Sequence, residues 1–319
     1  TQATRAWDMT GGKGRIHANV LWEMGGAERV ARGMLEGAKG LIHGITDGST
    51  VTTFGVPVPS SIGALTPVAG DLFPGDYRYQ LTYVRLADGL EGGPAYSEPV
   101  AVPDGGIVLT GLPELAGHKI NVYLTSHNGE HAFLAGSTTN GAFSFTGKND
   151  KLILPCRTDF MYPAPAGSIM AFYGARVLIA VGQVLYASRP NGWELFDIRR
   201  DFKQFTDDIT LIQPVDDGVY VGTTTELAFL AGAEFDKLTY RQVVAGRVVL
   251  GSGVQVRGEL VQSGQGSAMI CIADGVICAG FNGGSLVRMT EGRYSTDVAE
   301  VSATFRMVDR IPQYIAIPQ

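Results

Sequence analysis

Charge is scarce in this sequence: Asp, Glu, Lys and Arg make up 18% of its 319 residues, against roughly 25% in soluble domains. Basic charge is the scarcer kind, with 25 Lys and Arg facing 31 Asp and Glu for a net charge of -6. Residues 1–66 carry +1, 67–152 carry −4, 153–167 are neutral and 168–319 carry −3. A protein that grips nucleic acid needs a Lys- or Arg-rich face to neutralise phosphates. No segment supplies one, so sequence-specific nucleic-acid binding is not expected. Arg199-Arg200 comes nearest, but Asp197 and Asp201 flank it, and it reads as a solvated, self-neutralising turn. Cysteine is nearly absent: Cys156, Cys271 and Cys278 are an odd set, too few for a disulfide framework. They are expected to pack as small apolar groups. No apolar run reaches the ~18 residues of a membrane helix, and Thr1–Arg5 shows no apolar signal core, so neither membrane insertion nor Sec export is indicated.

Apolar residues are not scarce. They form 45% of the chain, enough for a sizeable core. There are 43 glycines and 15 prolines. Together they are roughly 18% of the chain against about 12% on average, spread along it as many turns. Helical patterning is confined to residues 23–38, where Val30, Met34 and Leu35 fit one face of a short helix interrupted by Gly25, Gly26, Gly33 and Gly37. Elsewhere, short β-branched and aromatic runs end at Gly, Asp-Gly or Pro, the pattern of an all-β chain.

Four segments share one order: a turn, a short apolar run with a glycine, a second turn, a second strand. They are LIHG with TVTTFG, VLIAVG with VLYAS, VYVG with LAFLAG, and VICAG with SLVRM, marked by Gly44, Gly182, Gly222 and Gly280. Repeats of ~40–50 residues with several strands each have the size of β-propeller blades. The expectation is therefore a β-propeller-like domain, complete or partial, with about four recognisable blades. It is discontinuous, spanning 1–56 and 156–319, and terminal strands such as 254–262 and 298–317 are candidates for closing it.

The long interval between the first two repeats carries another module. It reads YRYQLTYVRLADG, GPAYSEPVAV, GGIVLTGLP, HKINVYLTS, an Asn128-Gly129 turn, HAFLAGS and GAFSFTG. Asn-Gly between alternating runs is a hairpin signal. Six or seven strands with such turns fit an immunoglobulin-like sandwich. The Tyr77–Tyr83 strand and the Leu109-Thr110-Gly111-Leu112-Pro113 segment resemble fibronectin type III domains, which implies an inserted sandwich over 67–152. Residues 57–66 and 153–167 read as its hinges.

No catalytic, cofactor-binding or metal-binding residue is assigned. His127 and His131 flank the Asn-Gly turn, but two imidazoles with Glu130 fall short of a closed zinc site. His43 reads as an ordinary strand histidine. Cys271 and Cys278 have the wrong spacing for a zinc knuckle or a redox pair. Gly11-Gly12-Lys13-Gly14 lacks the hydroxyl of a phosphate loop. Gly251-Ser252-Gly253 and Ser263-Gly264-Gln265-Gly266 read as flexible turns, not nucleophile elbows. Adjacent Asp207-Asp208 and Asp216-Asp217 point to opposite faces of a strand, so neither is a ready acid/base couple. Asp217-Gly218 reads as hairpin-turn chemistry. Ser188–Trp193 faintly resembles a sialidase Asp-box with Asn in place of the acid, and reads as a blade turn with a packed tryptophan.

The stretch from Pro165 through Trp193 to Gly232 resembles structural proteins of tailed bacteriophages, in particular propeller-bearing nozzle or hub proteins of short tails. There, too, a Trp-rich segment, here Trp7 to Trp22, precedes the first blade. The resemblance implies an architectural role in the virion, in a tail or neck assembled in the host cytoplasm. It implies a ring homo-oligomer through which DNA passes and to which other tail proteins attach; the mildly acidic charge without basic patches adds the expectation of an acidic or neutral lumen. No cofactor is expected, and the interface residues are not read from the sequence. A propeller-type glycan-binding module is the alternative, since three tryptophans and twelve tyrosines offer stacking surfaces. A propeller glycoside hydrolase is the third reading.

Overall fold

The computed structural model describes residues 15–24, 28–37, 40–46, 51–261 and 265–319, with side chains from Phe54 onward. Among them the chain is all-β, and the helical elements are four single 3-10 turns. It divides into two compact units. One comprises residues 1–53, 165–193 and 199–319, the other residues 54–164 and 194–198.

The first unit opens with an antiparallel meander of β1 (Arg15–Met24), β2 (Glu28–Gly37), β3 (Gly40–Thr46) and β4 (Val51–Thr53). This corrects the helix expected over 23–38: Glu28–Gly37 is a strand, paired along one edge with β1 and along the other with β3. Gly33 and Gly37 each cost a helix about 1 kcal/mol relative to Ala. Two flanking strands satisfy the backbone groups along both edges of Glu28–Gly37, and that pairing decides for the strand.

The second unit holds β5 (Ala64–Ala69), β6 (Gly75–Tyr77), β7 (Tyr79–Arg85), β8 (Ala95–Tyr96), β9 (Val100–Val102), β10 (Gly105–Thr110), β11 (His118–Thr125), β12 (Ala132–Thr138) and β13 (Ala142–Phe145). They form a three-stranded sheet, β13-β10-β5, a four-stranded sheet, β12-β11-β7-β8, and a small β6-β9 pair. Alternation does the sorting. Tyr79, Leu81 and Tyr83 of β7, Ile107 and Leu109 of β10, and Ile120, Val122 and Leu124 of β11 enter one core shared by both larger sheets. The unit's limits differ from the sequence reading. The expected hinge 57–66 lies inside the unit, and its last residues begin β5, which pairs with β10 along its length. The expected hinge 153–167 is mostly inside as well, because Pro155 bridges Phe133 and Tyr162 bridges Phe196.

The first unit resumes with three further four-stranded meanders. The first has β14 (Ile169–Tyr173), β15 (Arg176–Val181), β16 (Val184–Ala187) and β17 (Phe202–Gln204). The next has β18 (Ile209–Val215), β19 (Gly218–Thr223), β20 (Glu226–Ala231) and β21 (Thr239–Ala245). The last has β22 (Val254–Arg257), β23 (Ser267–Ala273), β24 (Val276–Gly280) and β25 (Leu286–Arg288). A two-stranded hairpin, β26 (Val301–Val308) and β27 (Ile311–Pro318), follows. The first strands lie in series, β1 by β14, β14 by β18, β18 by β22, and β22 by β26.

The four sequence repeats are real strands in an inconsistent register. In the two central meanders the marked run is the second strand, β15 or β19, but in the outer two it is the third, β3 or β24. The marker glycines differ in purpose. Gly182 sits at positive φ in a turn. Gly222 and Gly280 are close approaches: a Cβ on Gly222 would lie 2.6–2.8 Å from the Val248 side chain, and one on Gly280 2.7 Å from the Tyr220 ring and from Met269. The expected closing strands also change. β22 is the first strand of its own meander, and β26-β27 form a separate sheet.

Candidate functional site

The residues considered for chemistry are placed as follows. His127 Nε2 lies 3.0 Å from the Asn128 amide, and its ring meets Phe73 edge-on. His131 is exposed. Among the described residues no group of three His, Cys, Asp or Glu is arranged to hold a metal ion. Cys271 and Cys278 are directly opposed across β23-β24, both buried and free. Burial pushes both thiols up, Cys278 to about 11, so they stay protonated and packed. Ser252 is fully buried: its hydroxyl donates to the Val249 carbonyl at 2.6 Å and accepts from Ile272 N–H at 3.1 Å. It is a fixed structural serine, a correction to the flexible-turn reading. In the Ser188–Trp193 segment, Ser188 Oγ accepts from Val177 N–H at 2.9 Å and Trp193 Nε1 donates to the Ala175 carbonyl at 3.1 Å. Gly11–Gly14, Trp7, Ser263 and Gly264 lie outside the described residues, and His43 lies on β3.

Arg199-Arg200 is not a purely solvated turn. Asp201 is buried and takes its nearest ion pair from Arg176 at 3.2 Å, while Arg200 reaches Asp201 at 3.7 Å and Asp236 at 3.8 Å. Burial holds the Asp201 carboxyl above the usual carboxylate range, against the pull of Arg176.

Asp216 and Asp217 form the two-residue turn between β18 and β19, and they also fasten the next meander. Asp216 Oδ2 accepts from Ser267 N–H at 2.9 Å and from the Asn282 amide at 3.0 Å, and Asp217 Oδ2 accepts from Gly283 N–H at 2.7 Å. Arg241 donates to the Gly283 carbonyl at 2.6 Å. The donors from Ser267 and Asn282 hold the Asp216 carboxyl below its ordinary 3.8. A depressed folded value means a stabilising contribution that is complete above the ordinary value and lost as pH falls through the folded one. Melting curves taken from about pH 5 to about pH 2.5 are therefore expected to fall less steeply for Asp216→Asn than for the natural chain. Equal slopes would remove the carboxylate from the latch.

In the second unit the face of the four-stranded sheet turned away from the core carries a buried polar network. Glu91 Oε1 accepts from Asn121 at 2.9 Å, from the Tyr123 hydroxyl at 2.7 Å and from Thr82 Oγ1, while Ser137 donates to Asn121 Oδ1 at 2.6 Å. Burial, then Glu91, drives the Tyr123 hydroxyl upward, and burial pushes Cys156 to about 11, so this thiol is not an activated nucleophile.

At the edge of the same sheet, Tyr96 and Phe160 stack with ring centroids 5.8 Å apart and planes 27° apart. The Tyr96 hydroxyl donates to Asp159 Oδ1 at 2.8 Å and accepts Phe160 N–H at 3.0 Å. Phe160 has φ 62° in a turn closed by Met161 N–H to the Thr158 carbonyl, a region that favours glycine. Both rings are about two-fifths exposed, 41% and 40%. In the first unit, apolar exposure gathers on the last hairpin, at Met307, Val308, Ile311 and Ile317.

No family model matches the chain, and no curated protein matches it. Among solved structures, one similar chain is that of a candidate 6-phosphogluconolactonase from Bacteroides fragilis NCTC 9343. It is 10% identical with a TM-score of 0.31, and the match covers 76% of this chain and 87% of that one. A likeness of that size carries no argument about activity.

Proposed function

We propose that this chain is a structural component of a bacteriophage tail or neck, nozzle- or hub-like, forming part of an oligomeric ring through which DNA passes. Its first unit is a partial propeller of four blades and a half-blade. Its second is a fibronectin type III-like sandwich that serves as a spacer or a contact for neighbouring tail proteins. The serial arrangement of first strands supports the propeller reading, because radial blades bring their inner strands side by side. The texture of the stretch from Pro165 to Gly232 supports the phage reading. The absence of a basic segment suits a channel that must not hold on to phosphates. No catalytic or cofactor role is part of this reading.

The observation that carries it is the last hairpin. Among the described residues, four sheets of its unit have four strands and this one has two. Its outer strand, β27, bears no charged side chain from Ile311 to Gln319, and Ile311 and Ile317 face solvent while Tyr314 and Ala316 pack inward. Exposed apolar surface of this kind marks a site of association. A hairpin meeting a different surface on the next copy is a head-to-tail contact, which closes into a ring when the rotation allows. Native mass spectrometry is expected to show a single closed oligomer, and Ile311→Glu with Ile317→Lys is expected to dissociate it while the circular dichroism spectrum holds. A monomer before substitution, or an oligomer indifferent to it, would overturn the reading.

A glycan-binding reading has one observation in its favour, the exposed Tyr96–Phe160 pair.

A further inference from the structure

We propose that Asn140, in the turn between β12 and β13, is a self-modification site, where the chain deamidates through Gly141 to aspartate and isoaspartate. The site stands whether or not the tail assignment holds. The sequence holds four Asn-Gly pairs, at 128–129, 140–141, 191–192 and 282–283. Glycine has no Cβ to hinder an approach to its own nitrogen, so all four carry the same local hazard. The fold separates them. At Asn128, Gly129 N–H donates to the Ser126 carbonyl at 2.8 Å, Oδ1 accepts Asp76 N–H at 2.9 Å and Nδ2 meets His127 Nε2 at 3.0 Å. At Asn282, Gly283 N–H donates to Asp217 Oδ2 at 2.7 Å, Oδ1 accepts Asp216 N–H at 3.0 Å and Nδ2 donates to Asp216 Oδ2 at 3.0 Å. At Asn191, Gly192 N–H donates to the Arg189 carbonyl at 3.1 Å. Asn140 is exposed, and the Thr139 hydroxyl, 3.5 Å from its Oδ1, is too distant to hold the amide. Gly141 N–H meets no acceptor among the described residues, although the same residue's carbonyl accepts Leu112 N–H at 2.9 Å.

Those differences fall on both reacting groups. The Gly141 nitrogen, once it gives its proton to hydroxide, attacks Asn140 Cγ. The N–Cγ bond forms, the Cγ–Nδ2 bond breaks, and the amide nitrogen leaves as ammonia with a proton from water. Water then opens the cyclic imide. Opening at Cγ restores the peptide and leaves aspartate. Opening at the backbone carbonyl leaves isoaspartate, with the chain continued through the side chain. The sum is one amide and one water turned into one carboxylate and one ammonium. A nitrogen whose N–H is bonded, or an amide pinned through both its atoms, reaches this geometry only after a local opening. Asn140 has neither restraint. The product adds a negative charge to a turn where Glu114 already stands, its Oε1 3.1 Å from where a Cβ on Gly141 would lie.

The test incubates the full, folded chain in mildly alkaline buffer and follows all four pairs by peptide mapping. It reads the mass gained when NH2 becomes OH, and the fragmentation that tells isoaspartate from aspartate. Asn140 is expected to deamidate at least about tenfold faster than Asn128, Asn191 or Asn282, to give both products, and to react faster as pH rises. In guanidinium chloride the four rates are expected to converge, because the restraints are gone. Asn140→Ser is expected to abolish the slow drift of the folded protein toward acidic forms on ion exchange. Asn140 reacting no faster than the held pairs, rates that keep their folded order in denaturant, or an acidic drift that persists in Asn140→Ser would each overturn the proposal.

Discussion

Replacing Glu194 with Ala is expected to destabilise the second unit by about 3 kcal/mol, the lower end of the cost of breaking a buried ion pair. Glu194 belongs to a short strap, residues 194–198, that leaves the β16–β17 connection and is counted with the second unit. Its carboxylate is contacted by Arg85 Nη1 and Nη2, both at 3.1 Å, and by Gly55 N–H at 3.1 Å. The side chains are 10% and 17% exposed, so water cannot replace a missing partner. Arg85 would keep Asp88 at 2.7 Å, which is why the lower end applies. Asp88 is half exposed, and Asp88→Asn is expected to cost less than about 1 kcal/mol. Hydrogen exchange read by peptide distinguishes these: Glu194→Ala should lower protection around Gly55, Tyr162 and Phe196 while the β18–β25 peptides stay as they were. Unchanged protection near Gly55 would mean the strap is passive.

Tyr220→Ala should cost the first unit about 3–5 kcal/mol, and Tyr220→Phe about 0.5–1.5 kcal/mol. The ring is fully buried, packs on Phe229 with centroids 4.8 Å apart, and fills the space that Gly280 leaves open. The hydroxyl donates to the Phe281 carbonyl at 2.7 Å, with the Ser285 carbonyl 2.9 Å away. It thus ties β19 to the turn after β24, and the Phe variant loses that tie while the backbone donors to both carbonyls remain. Urea midpoints followed by tryptophan fluorescence measure both changes. A loss below about 1 kcal/mol for Tyr220→Ala would mean that adjacent meanders do not depend on this contact.

The strands of the second unit were legible because each carries two-residue alternation and ends in turn chemistry. Every run quoted from Tyr77 to Phe145 contributes at least one strand. In the first unit the central meanders were legible for the same reason. Glu28–Gly37 was not, because Val30, Met34 and Leu35 also satisfy a helical period, and the pairing that decides the matter comes from β1 and β3. The repeat phase was misread because glycine serves a turn at Gly182 and a packing contact at Gly222 and Gly280, and a single letter does not separate the two.

The contacts that matter most to the sites had no local signal. Asp216 reads as a turn residue, and its second duty depends on Asn282, 66 positions away. Glu194 meets Arg85 across 109 positions. Phe160 gave no warning of a positive φ, since the usual marker is glycine or asparagine and it is neither. A polar residue in a turn announces the turn, not the distant backbone group it will hold.

Electron microscopy of the purified protein puts the assembly account to its most direct trial. The account predicts closed symmetric rings, each copy joined to the next through the Val301–Pro318 hairpin, around a lumen lined by acidic and neutral side chains. Dispersed single copies, or a ring whose lumen is lined by Arg and Lys, would contradict it.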